Sequence, residues 1–181
     1  MVRIDPAPSS ISDLTARSSL LPRYLYDLGH RRLCLVGESG VGRSMQLLSA
    51  LPDLAELGID FYNFRSVHPM DPGRQVVEKL IVLGADAPSA LVCSSDLVAA
   101  SVLRACLDNG IGVPRDVSLV GVGESGLASL TRPTLTGIRV AAEDAGAAAA
   151  RTILALLENR AHVEARPNVK LVLRESCAAP R

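Results

Sequence analysis

The stretch from residue 86 to residue 124 leaves a chain of this kind the fewest choices. Ala90 to Cys93 is a short apolar run introduced by Pro88, and Val117 to Val122 is a second. Between them, Ser94, Ser95 and Asp96 offer three side chains that can accept a bond from a free backbone N–H at a helix start. Residues 97–109 are apolar round most of a helical circumference, with Arg104 and Asp108 marking the wet side. Gly110 suits the left-handed residue that ends a helix, and Pro114 blocks its continuation. A buried strand, a crossover helix and a second buried strand make a parallel βαβ unit. Ligands of such sheets bind where strands end and helices begin. That edge carries Ser94, Ser95 and Asp96 after one strand, and Gly123, Glu124 and Ser125 after the other.

The same alternation extends through the chain. Residues 13–28 carry a helical stripe of Leu14, Leu21, Leu25 and Leu28, interrupted by Pro22, which kinks the helix or restarts it. Strands are expected over 33–37, 59–64, 135–140 and 169–175. Helices are expected from about residue 42, from Asp71-Pro72 to Gly84, and over 143–158, where Glu143 and Asp144 suit the positive end of the dipole. Residues 127–132 read as a turn or short helix. The class is α/β: an open, mostly parallel sheet with helices on both faces.

The totals exclude several functions. Lys and Arg number 19, Asp and Glu 19, which is no footprint of a general nucleic-acid binder. Trp is absent, so stacking platforms for single strands are not expected. Cys34, Cys93, Cys106 and Cys177 share no Cys-x-x-Cys spacing and read as small buried hydrophobes in a reducing cytosol, with no metal and no cofactor. No signal peptide and no membrane-spanning run is visible, which places the chain in the cytoplasm without a membrane partner.

A more specific pattern appears when the pieces are taken in order. The chain has Ser95-Asp96, Ala99-Ala100, then Gly110-Ile111-Gly112-Val113-Pro114-Arg115-Asp116-Val117-Ser118. Gly121-Val122-Gly123-Glu124, Pro133-Thr134-Leu135-Thr136-Gly137 and Leu173-Arg174-Glu175-Ser176 follow. Gly29-His30-Arg31-Arg32 enters the first strand. In order and spacing this resembles the effector-binding core of the lac-repressor and gal-repressor (LacI/GalR) regulators, from about Asp13 to the C-terminus. The resemblance implies a periplasmic-binding-protein-like fold, mainly its C-terminal subdomain. It divides the chain into a remnant of the N-terminal subdomain (1–30), the C-terminal effector-binding subdomain (31–126), and a crossing strand, returning helix and last strand (127–181). It also implies a homodimer, a small-molecule effector in a cleft, and operator DNA reached only through a helix-turn-helix module not found here. The helices over 13–28 and 143–158 are then expected to lack the sheet they normally cover.

Carried over position by position, the family's effector contacts fall on Gln46, His68, Ser95, Gly123 and Glu124. The Arg that usually grips a ligand falls on Leu48, and the first of two acidic residues falls on Gly123. The framework residues match while the gripping ones mostly do not, so the effector is sugar-like or of another kind.

Two alternatives remain open. Gly37 to Ser44 reads GESGVGRS, a phosphate-binding-loop pattern with Arg43 in place of Lys, so Arg43 and Ser44 are possible anion ligands of a nucleotide-binding protein. Arg is not the equivalent of the compact Lys that reaches between phosphates. The other alternative is an interaction module without ligand. No catalytic triad stands out, and the chain is not expected to be an enzyme.

Overall fold

A computed structural model describes residues 20–37, 60–65, 72–123, 126–140, 142–158 and 169–181. In chain order these form α1 (Leu20–Asp27), β1 (Arg32–Gly37), β2 (Asp60–Arg65), α2 (Pro72–Leu83) and a 3₁₀ turn (Gly84–Asp86). β3 (Ala90–Cys93), α3 (Asp96–Asp108), β4 (Ser118–Val122), α4 (Leu127–Leu130), β5 (Thr136–Val140), α5 (Ala142–Leu157) and β6 (Val169–Val172) complete the order. The strands build one six-stranded sheet in the order β2-β1-β3-β4-β5-β6. β2 through β5 are parallel, and β6 runs antiparallel along β5.

The central strands β1, β3 and β4 are apolar on both faces because each face has a helical layer to meet. Along β1, Cys34 and Val36 join one core while Leu33 and Leu35 join the other; along β3, Leu91 and Cys93 alternate with Ala90 and Val92 in the same way. This is the period of two expected of a pleated strand. The first core is closed by Val76, Val77 and Leu80 of α2, by Val98, Val102 and Cys106 of α3, and by Ala128 of α4. The second is closed by Leu21 and Leu25 of α1, both fully buried. Burying two such leucines contributes roughly 2 kcal/mol each.

The helix expected across Pro22 begins, among the described residues, at Leu20, which places the proline in the first turn where its missing N–H costs nothing. The expectation that this helix lacks a sheet is corrected: Leu21 and Leu25 rest on β1, β3 and β4 side chains. The helix expected over 143–158 forms as α5. α5 makes only marginal contact with the other described elements, and Ile153, Leu154 and Leu157 are exposed. The helix expected from residue 42 lies outside the described residues. The strand expected over 169–175 ends at Val172, for a reason that lies at the base of the sheet.

At that base, where the parallel strands begin, the C-terminal segment passes beneath β5 and reaches β4. The Leu119 amide donates to the Ser176 carbonyl at 2.9 Å. The buried Ser176 hydroxyl donates to the Leu119 carbonyl and accepts from the Thr136 amide at 2.9 Å. Arg174 donates its amide to Thr136 Oγ1 and a guanidinium N–H to the Leu135 carbonyl. Glu175 accepts from both the amide and the hydroxyl of Thr134, which holds its carboxyl below the usual range. Farther along, Ser118 exchanges two hydrogen bonds with Ala178. The buried His30 bridges Ser89 Oγ at 2.8 Å and the Ala178 carbonyl at 2.9 Å. Burial holds the His30 imidazole below its ordinary value, and Arg31 nearby acts the same way against the opposing pull of the Ala178 carbonyl.

Candidate functional site

The strand order reverses direction at β1, whose neighbours are β2 on one side and β3 on the other. In an open parallel sheet the crevice above such a reversal is where ligands bind. Its floor is built from the carboxyl ends of β1, β3 and β4.

The loop after β3 is short and fixed. The Ser94 amide donates to the Val36 carbonyl at 2.8 Å, tying the loop to the end of β1. Ser95 is extended, with φ −156° and ψ 163°, and its Oγ accepts from the Val98 amide at 3.2 Å as the N-cap of α3. Of the three capping side chains read in the sequence, Ser95 takes the role. Its hydroxyl proton is not used by that bond, so it retains a donor for a second partner.

Asp96, next in the chain, turns inward and is 5% exposed. It sits in the first turn of α3, where the helix dipole favours a negative charge. Its carboxylate lies over glycine. A Cβ added at Gly121 would stand 2.7 Å from Asp96 Oδ1, and one at Gly123 or Gly137 would stand 3.8 Å from it. Gly137 has no room either: its Cβ would meet the carbonyl oxygens of Gly123 at 2.8 Å and Gly121 at 2.9 Å. Gly123 adopts φ +131°, a conformation side chains rarely take. Three glycines from two strands and the turn after β4 therefore let that turn lie close over the N-terminus of α3.

Parallel pairing sets Cys93 opposite Gly121. Ser95 and Gly123, two of the residues predicted as effector contacts, consequently emerge at the same rim, both half-buried. Gln46, His68, Glu124, Arg43 and Ser44 lie outside the described residues, as does all of GESGVGRS after Gly37. The sequence offers Asp96 as one of three caps and as part of the Ser95-Asp96 pair, and neither reading turns it inward. Its inward turn depends on Gly121, Gly123 and Gly137, far along the chain, so no local pattern announces it.

The buried thiols do not form a reactive centre. Burial pushes Cys34 and Cys106 up to about 12, and Cys93 well above the ordinary thiol value. Among the described residues no group of His, Cys, Asp and Glu is placed to hold a metal, and no helix is long and apolar enough to cross a membrane.

Comparison with known proteins adds to this geometry. The profile of the periplasmic binding protein-like domain matches residues 23–177. An uncharacterized HTH-type transcriptional regulator in the aml 5′ region of Streptomyces limosus is 33% identical over 164 residues, covering 86% of this chain and 45% of that protein. A LacI family transcriptional regulator from Bifidobacterium animalis superposes with a TM-score of 0.83 at 22% identity, over 92% of this chain and 62% of its own. A sugar-binding LacI-family regulator from Escherichia coli, solved with phosphate, does so at 0.77 and 25% identity, over 99% and 67%. The chain spans about half the length of the curated relatives it matches.

Proposed function

The chain belongs to the periplasmic binding protein-like domain family, among the LacI/GalR regulators, and on that premise we propose that it is the effector-sensing part of a transcription regulator. The observation that carries the reading is the shared rim. The loops after β3 and β4 lie side by side at the reversal of strand order, with Ser95 and Gly123 flanking the buried Asp96.

The effector is a small molecule. A sugar-binding relative supports a sugar-like ligand, while Leu48 and Gly123, standing where an Arg and an acid usually grip, favour one with fewer charges to satisfy. Gln46, His68, Ser95, Gly123 and Glu124 supply the contacts. Ligand acts by binding one arrangement of the protein better than another, which shifts the population. Control of operator DNA passes through a helix-turn-helix module of the kind named in the relatives, and the assembly works in pairs in the cytoplasm. The chain is a sensor and not an enzyme.

A thermal-shift screen against neutral and acidic sugars, polyols and nucleosides tests the reading. A ligand that raises the melting temperature of the native chain, and does so far less for Glu124→Ala and Ser95→Gly, supports it. Magnesium-dependent nucleotide hydrolysis lost in Arg43→Ala would replace it with the phosphate-loop reading.

A further inference from the structure

The side chain that Gly123 lacks has a direction. A Cβ added there would have the Asp96 carboxyl atoms Cγ, Oδ1 and Oδ2 as its nearest neighbours, each at 3.8 Å. That is ordinary contact, so space alone does not forbid a methyl. Two other things restrict the position. Its φ of +131° is one that side chains rarely adopt. Anything longer than a methyl runs onto the carboxylate of Asp96, which is 5% exposed. On its other side the turn is pinned: a Cβ at Gly137 would stand 2.8 Å from the Gly123 carbonyl oxygen, so the turn cannot roll to re-aim a side chain without moving β5.

A side chain at 123 is therefore aimed at the start of α3 and not out over the crevice. The acid that the family resemblance expects at this position has no path to a ligand in this backbone. It would also set two carboxylates side by side in a water-poor site, where like charges repel strongly. What Gly123 offers a ligand is backbone.

The same arrangement works against an anion in the crevice. A helix N-terminus ordinarily draws negative groups. The positive end of α3 is already engaged: Ser95 Oγ accepts from the Val98 amide at 3.2 Å, and Asp96 lies in the first turn. A negative group laid on this rim meets the field of a buried carboxylate where it would otherwise meet an open helix end. The half-buried hydroxyls of Ser94 and Ser95 stand beside it, and both are neutral.

On the effector reading above, which this deepens, we infer that Asp96 and Gly123 together exclude negative charge from the rim between β3 and β4, so that the effector presents a non-anionic, hydroxyl-bearing group there. Asp96 acts through the turn and its field and does not touch the ligand.

One arm of the test needs no ligand. Urea unfolding of Gly123→Ala, Gly123→Asn and Gly123→Asp compares side chains on one backbone. All three unfold at lower urea than the native chain. At neutral pH the Asp variant falls well below its isostere Asn, because it alone brings a second charge to Asp96, and in an Asp96→Asn background that gap closes. Equal midpoints for Asp and Asn beside the native Asp96 overturn the inference, since a side chain at 123 then points elsewhere. The other arm is a thermal-shift titration of the native chain with matched pairs: glucose and glucuronate, galactose and galacturonate, adenosine and adenosine 5′-phosphate. In a pair that responds, the neutral member raises the melting temperature and the acid does not, and Asp96→Asn narrows the difference. An acid that binds as well as its neutral partner overturns the exclusion of anions and leaves the effector reading in place. Silence from every pair overturns the effector reading, and the ligand class goes with it.

Discussion

The two ends of the sheet are built on opposite plans. At the base, where strands begin, polar side chains close one backbone group after another: Ser176 on Leu119 and Thr136, Ser118 on Ala178, His30 on Ser89 and Ala178. Toward the upper rim, Gly121 near the end of β4, Gly123 just after it and Gly137, opposite Gly121 on β5, carry no side chain at all, and backbone approaches backbone there. The base is fixed by hydrogen bonds that would be left buried and unmade if broken. The rim is fixed by the absence of atoms. The proposed function puts ligand-facing chemistry at the second end, because a rim made of close backbone contacts can be re-furnished with different side chains while its geometry holds.

The sharpest way to break this contrast is to put an atom where the rim has none. Gly137→Ala drives a methyl to 2.8 Å and 2.9 Å from two carbonyl oxygens that cannot step aside without moving β4. Overpacking against backbone should cost about 3 kcal/mol or more, read as a fall in the urea midpoint. A loss below about 1 kcal/mol would mean that the rim yields, and that glycine there is not what shapes it.

Removing one hydroxyl at the base should rank second. Ser176→Ala leaves the Leu119 carbonyl and the Thr136 amide, both buried, without that partner. The expected loss is about 2 kcal/mol in denaturant unfolding, since an unmade buried bond costs its full desolvation. Ser176→Thr should recover part of it, because the oxygen returns. Equal stabilities for Ala and Thr would show that the base is held by packing and not by this bond.

Legibility followed the same division. β3 was read to the residue, and α3 and β4 to within one, because apolar runs, a capping serine and Gly110, which takes φ +74°, are local signals. The clasp at the base was not read. Leu173-Arg174-Glu175-Ser176 was recognised as a resemblance and extended as strand, yet the strand stops at Val172 so that Ser176 can swing to β4. Whether a serine bonds two strands away is decided by tertiary register, which alternation along one segment does not encode. The cover over β1 was misjudged for a related reason. The fully buried Leu21 and Leu25 were seen as a stripe, but a stripe does not say which sheet face receives it. At the rim, Ser95 and Gly123 were found from the βαβ pattern plus resemblance, and the inward turn of Asp96 was not.

Acid should loosen the base in a defined window. The fold holds His30 below its ordinary value, so the unfolded chain takes up the proton first as pH falls. The stability that His30 contributes is complete above about pH 6.5 and declines below it, through its folded value. The loss should be smaller than for Ser176→Ala, because a protonated ring can still donate to Ser89 and to Ala178. Glu175 and Asp116, whose folded carboxyls are depressed, the latter to about 2, lose their contributions only at lower pH. A His30→Gln chain measured between about pH 7 and 5 should therefore have a flatter stability profile than the native one. Parallel profiles would remove His30 as the cause.

The smallest effect separates structure from function at Ser95. Its hydroxyl caps α3 and also stands at the rim, so Ser95→Ala, costing about 1 kcal/mol, confounds the two roles. Ser95→Gly does not: glycine serves as an N-cap at a cost of only a few tenths of a kcal/mol, while it removes the same hydroxyl from the rim. A chain that keeps its unfolding midpoint in Ser95→Gly but loses its thermal response to ligand uses that hydroxyl for recognition. If Ser95→Gly keeps both, Ser95 is a cap alone, and the proposed effector reading rests on Gln46, His68 and Glu124 instead.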